Sequence, residues 1–181
     1  LPDPYYETEV DSTTLYLFFQ RISSKVDTLI STISAAHGLP GSLQSATSEM
    51  LVGVCELRGK LKHFSTLNCR FSSIMRKSTP DAWVALGKIL PEINGVEARV
   101  DIWINAVRHD EFSEGDCARD LGSLIAQFDH LAETTFNQPD LDVAEQQVGL
   151  AHTFDYDLDN FAAAVGFARQ AIVGLVSEGG E

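Results

Sequence analysis

Little in this chain of 181 residues supports chemistry. Cysteine is scarce: Cys55, Cys69 and Cys117 are odd in number and form no CxxC, which favours reduced thiols in a cytosolic setting over a disulfide framework. No apolar run approaches the roughly 18 residues that a membrane-spanning helix needs. Proline and glycine are not enriched, and apolar content is an ordinary 44%, so the composition is that of a folded chain with a real core. His37, His63, His109, His130 and His152 are scattered, without an HExxH pair or another ligand spacing, so no metal is expected. There is no GxSxG, no glycine-rich phosphate loop and no Glu-x-x-His pair, so neither a catalytic residue nor a cofactor is expected. Asp155 to Asn160 resembles the start of a calcium loop. Its sixth and twelfth positions would be Asn160 and Gly166, where such a loop needs Gly and Glu, so a solvated acidic face is the better reading.

Positive charge is also scarce in the second half of the chain. Residues 1–80 hold 8 basic and 7 acidic side chains, whereas residues 81–181 hold 5 basic and 19 acidic, and the net charge is −13. That excess argues against a nucleic-acid binder, which needs a basic footprint, and favours solubility and basic partners.

What is present is helical periodicity. Ala144, Gln147, Ala151, Phe154, Leu158, Phe161, Val165, Ala168, Ile172 and Leu175 recur at steps of three and four, one apolar face over about five heptads. Pro139 suits its first position, Asp140 and Asp142 its positive end, and Gly179-Gly180 its stop. Such a helix, roughly 37 residues and about 55 Å, would outreach a sphere of this mass.

Earlier in the chain, residues 1–11 read as a lead-in with two prolines and Tyr5-Tyr6 as an anchor, followed by Ser12 as an N-cap. A seam of Leu15, Phe19, Ile22, Val26, Leu29, Ile33 and Ala36 then runs to the His37-Gly38-Leu39-Pro40-Gly41 stop. A second long helix, Ser42 to Lys77, carries two heptad columns. Leu43, Met50, Leu57, Phe64 and Phe71 make one; Thr47, Val54, Leu61, Asn68 and Met75 make the other. Asn68 either fixes register, faces water or caps a bend. Gly53 and Gly59 imply close helix approach.

Thr79-Pro80-Asp81 opens a short helix that Pro91 stops, Asn94 with Glu97 resembles a capping box, and Ser113 with Asp116 repeats the cap before Cys117, Leu121, Leu124, Phe128 and Leu131. The fold class is therefore all-α: an elongated antiparallel bundle of about six helices, three of them long. It is read as a single elongated domain over 1–181, excised from a larger protein, with two lobes sharing long helices as the alternative.

One cluster suggests contact with a partner. Arg58, Lys60, Lys62, Arg70, Arg76 and Lys77 lie in a window, 57–80, without a carboxylate. Either they pair with the chain's own acidic helices or they dock an acidic coiled coil. Ser78 and Thr79-Pro80 beside them fit helix capping better than a phosphorylation site.

The order of landmarks resembles a known family. Leu1-Pro2-Asp3-Pro4-Tyr5-Tyr6, Ala35-Ala36-His37-Gly38-Leu39, Leu90-Pro91-Glu92-Ile93 and the run from Ala98 through Trp103 and Val107 to Phe112 are similar to the helical domain between the coiled coils of the large Glued-type subunit of dynactin, the dynein activator. The resemblance implies a non-catalytic scaffold in a cytoplasmic, cytoskeleton-associated complex for dynein-driven transport along microtubules. Its partners would be coiled coils of the same subunit, dynein or dynactin components, or cargo adaptors, and the parent would be a homodimer through flanking coiled coils. A helical adaptor module unrelated to dynein, and a helical enzyme with a buried pocket, are the alternatives.

Overall fold

The computed structural model describes residues 3–36 and 48–137, together with residues 150, 151, 154, 157, 158, 161, 164, 165, 168, 169, 172, 173 and 175. Among these, five α-helices are bounded: α1 (Asp3–Ala36), α2 (Ser48–Lys77), α3 (Pro80–Gly87), α4 (Val96–Arg108) and α5 (Glu114–Thr134). A single 3-10 turn, Leu90–Ile93, links α3 to α4. The described residues from Leu150 to Leu175 are also helical, and no described residue is in a strand.

The centre of the fold is α1, not the last stretch of the chain. It packs on α2, α3, α4 and the 3-10 turn, while α5 packs on α2. Pairings across α1 and α2 run in opposite senses: Phe19 meets Phe71, Ser23 meets Cys69 and Ser65, and Asp27 meets Lys62. Those across α2 and α5 run in the same sense, since His63 meets Asp129 and Phe71 meets Phe136. The two helices are therefore parallel, not antiparallel.

The heptad columns account for this packing. Leu57, Phe64 and Phe71, with Val54, Leu61 and Met75, are buried; so are Leu15, Phe19, Ile22, Val26, Leu29 and Ile33 of α1 and Cys117, Leu121, Leu124, Phe128 and Leu131 of α5. Five aromatic rings close the middle. Phe71 stacks on Phe136 at 4.2 Å between centroids, Phe64 meets Phe128 edge-on at 4.8 Å, and Phe19 meets Phe71 edge-on at 5.2 Å. Offset and edge-on arrangements suit the ring quadrupole.

Several local expectations are corrected. Ser12 does not cap α1, because the helix already begins at Asp3 and Ser12 is buried inside it. The reason for a small residue there is the crossing with α3. A Cβ on Gly87 would lie 2.4 Å from Ser12 Oγ and 2.8 Å from its backbone N, so the two backbones nearly touch. Gly53 makes no such demand, since a Cβ there would meet only Glu114 Oε2 at an ordinary 3.4 Å. Asn94 is not the cap of α4; Gly95, at φ 92°, occupies that position without a side-chain bond, and Glu97 turns to α1 instead. Glycine is suited to that left-handed backbone.

Other caps stand as expected. Thr79 accepts from Ala82 N–H at 3.4 Å with Pro80 in the first turn, and Ser113 accepts from Asp116 N–H at 3.4 Å. His109 ends α4. The turn at residues 37–41, the start of the second helix at 42–47, and the expected start and stop of the last helix lie outside the described residues.

Candidate interaction surfaces

Polar side chains inside the helix contacts hold the body together. Between α1 and α2, Ser65 Oγ donates to Asp27 Oδ1 at 3.0 Å, and Lys62 Nζ donates to the same oxygen at 3.2 Å. With its proton committed, Ser65 must accept from Ser23 at 3.0 Å, and Ser23 must then accept from the Cys69 thiol at 2.9 Å. Ser23 and Ser65 are buried, so this chain satisfies polar groups that would otherwise destabilise the contact.

Between α1 and α4, Arg21 forms a two-pronged bond to Glu97 at 2.9 and 3.1 Å, and Lys25 reaches Glu97 at 3.0 Å and Asp101 at 2.6 Å. The Arg21 hydrogen bond, reinforced by Lys25, holds the Glu97 carboxyl down at about 2. Burial opposes the charge on Lys25, but its bonds to Asp101 and Glu97 outweigh that and raise its pKa. Arg99 pairs with Asp120 to join α4 to α5.

Asn68 neither faces water nor bridges to another helix. It is fully buried, and its Nδ2 donates to Phe64 O at 2.8 Å within α2, while Oδ1 has no partner among the described residues. Burial also pushes the Cys117 thiol up to about 12. None of Cys55, Cys69 and Cys117 is in a disulfide. No group of three His, Cys, Asp or Glu among the described residues could hold a metal ion, and no described helix is long and apolar enough to cross a membrane.

The six basic residues singled out on α2 do not form one strip. Lys62 is committed to Asp27 on the α1 side. Arg58 is half-buried, with two side-chain nitrogens enclosed. Lys60, Arg70 and Arg76 make no ion pair with a described residue, but successive 100° steps place Lys60 about 160° from Arg76, and Arg70 about 80° from Lys60 and about 120° from Arg76, so the three share no face. The exposed positive charge is concentrated instead in the last turn, at Arg76 and Lys77, with half-buried Arg70 two turns before. Cations there also complement the negative helix pole.

The largest departure from expectation is the last stretch. In a bundle that shares its long helices, an apolar face of this length would be buried against the others, and here it is open. Phe154 is 64% exposed, Phe161 69%, Ile172 60% and Leu175 71%, and Leu150, Leu158, Val165 and Val173 are exposed as well. A helical face of this kind has no covering partner among the described residues. In heptad notation, Ala151, Leu158, Val165 and Ile172 take the a positions and Phe154, Phe161, Ala168 and Leu175 the d positions. The periodicity was readable in the sequence, but periodicity does not say which surface covers it.

Comparison with known proteins places the chain. The family described as "Dynactin: Dynein associated protein" matches it over residues 1–181. No solved structure matches it.

Proposed function

Since this chain belongs to the dynactin, dynein-associated family, we propose that it is a non-catalytic scaffold domain of a large dynactin subunit. It serves dynein-driven transport on microtubules in the cytoplasm by joining protein partners. The observation that carries this reading is the contrast between a closed body and an open seam. The rings of Phe19, Phe64, Phe71, Phe128 and Phe136 are fully buried, whereas the heptad face from Leu150 to Leu175 is exposed.

An apolar heptad face of this length, about 37 Å, is unstable in water and calls for another helix. A second copy of the chain fits it best. In its last two heptads β-branched Val165 and Ile172 at a, with Leu175 at the final d, suit a two-stranded parallel pair. Homodimerisation through this seam would bring two copies of the α1–α5 body to the same end of the coil. The end of α2, with exposed Arg76 and half-buried Arg70, would then be offered twice to an acidic partner helix from dynein, dynactin or a cargo adaptor.

The test is binding of the chain to purified dynein and dynactin components at low and moderate salt. Capture that weakens with salt, and that Arg70→Glu with Arg76→Glu reduces at unchanged helicity, is expected. Equal binding by the charge-reversed chain would remove the basic end from the account. No binding to any component of the complex would overturn the scaffold role.

A further inference from the structure

We propose that Thr79 is a phosphorylation site for a proline-directed protein kinase, and that its phosphate reverses the charge of the corner between α2 and α3. Six residues of the chain are proline, and Thr79-Pro80 is the one place where a serine or threonine precedes one. Both residues are exposed. They lie at the break between two helices, where Thr79 is already extended at φ −65° and ψ 158°. A kinase cleft binds its target as extended chain, and a following proline holds the preceding residue in that region.

The hydroxyl itself is available. Thr28, Ser31, Thr32, Ser34, Thr66 and Thr134 each donate to the carbonyl four residues before. Neighbouring Ser78 does the same, to Ile74 O at 2.9 Å, and is half-buried. Thr79 Oγ1 instead accepts, weakly, from Ala82 N–H at 3.4 Å, and its proton is not tied to an acceptor among the described residues. In the reaction, Oγ1 attacks the γ-phosphorus of a nucleoside triphosphate. The Oγ1–P bond forms, the bond from phosphorus to the β-phosphate oxygen breaks, and the diphosphate leaves. The hydroxyl proton passes to the kinase's base.

The consequence is electrostatic. Arg76 and Lys77 precede Thr79, and Asp81 follows it. A phosphate adds about −1.5 to −2 charges at neutral pH, enough to turn this corner from positive to negative. Its oxygens can still accept from Ala82 N–H, so α3 keeps its cap. The effect on partners rests on the docking role given above to the basic end of α2; the modification itself does not.

The experiment uses the whole chain, a proline-directed protein kinase and magnesium ATP, read by intact mass and by fragment mapping. One phosphate on Thr79 is expected, retained in Ser78→Ala and lost in both Thr79→Val and Pro80→Ala. Pro80→Ala keeps the hydroxyl, so its loss of labelling reports recognition and not the missing acceptor. A synthetic peptide of residues 74–84 that is labelled while the folded chain is not would overturn the proposal, as would a phosphate that persists in Thr79→Val. In a second arm, the phosphorylated chain should bind the acidic partner at least threefold more weakly at low salt. Full labelling with unchanged binding would overturn the charge switch. An unmodified chain that binds no acidic partner would count against the docking role, while the mapped phosphate would still establish the site.

Discussion

Replacing Gly87 by alanine tests the tightest contact in the body. On propensity alone the change should help, since glycine costs roughly 1 kcal/mol relative to alanine inside a helix. The crossing with α1 reverses the sign. The new methyl would lie 2.4 Å from Ser12 Oγ, 2.8 Å from Ser12 N and 3.1 Å from Ser12 Cα. The first atom could turn aside by a change of rotamer, but the other two are backbone of a long helix that also packs on α2 and α4. Relief therefore requires α3 to move off α1 by several tenths of an ångström, disturbing the contact between Tyr16 and Trp83, whose ring centroids are 5.7 Å apart. Overpacking of this kind costs about 1–3 kcal/mol. Urea unfolding followed by circular dichroism should show Gly87→Ala destabilised by up to about 2 kcal/mol after the propensity gain is set against it. Adding Ser12→Ala should recover only part of the loss, because the backbone contacts remain. A Gly87→Ala chain more stable than the parent by the full propensity gain of about 1 kcal/mol would refute the close crossing.

Three further outcomes follow from the same packing. Phe64→Ala should lower stability by about 3–5 kcal/mol in the same unfolding experiment, since its ring is fully enclosed beside Phe128; a loss under 1 kcal/mol would mean the ring is not enclosed. Asn68→Leu, similar in shape, should leave stability unchanged or raise it by about 1 kcal/mol, because it removes a buried Oδ1 without a partner; a clear loss would show that the amide makes a bond across helices. The Glu97 carboxyl, normally near 4.5, is held at about 2 in the folded chain. Its contribution is therefore complete above the unfolded value and lost as pH falls from about 5 towards 2. Solvent screening limits this to about 1 kcal/mol. In Glu97→Gln that part of the acid limb should be missing from a pH series of melts, and an unchanged limb would place the stabilisation elsewhere.

The fold was legible where residue type alone decides burial. Phe64, Phe71, Phe128 and Leu121 recur at helical spacing, and a large apolar side chain on such a face has little choice but to face inward. Thr79 and Ser113 were legible as caps because a hydroxyl before a helix start has a local use that needs no knowledge of tertiary structure. What the sequence hid depends on neighbours distant in the chain. Ser12 looks like a cap until Gly87 lies against it, and Glu97 looks like half of a capping box until Arg21 and Lys25 draw it to α1. Helical rotation already spreads the six cations of 57–80 over several faces when read from the sequence, and what the sequence did not show is that Asp27 of α1 holds Lys62. Phe154, Phe161 and Leu175 gave the same periodic signal as Phe64, and only the structure distinguishes the face that is covered from the face that is not.

Sedimentation equilibrium of the chain, over protein concentrations from about 1 to 100 μM, tests most directly whether that open face is a seam for a second copy. A dimer mass is predicted, shifting to a monomer when Leu158→Ser and Phe161→Ser are combined, with the thermal unfolding of the α1–α5 body unchanged. A parent chain that stays monomeric across this range, or a dimer that survives both substitutions, would contradict the account.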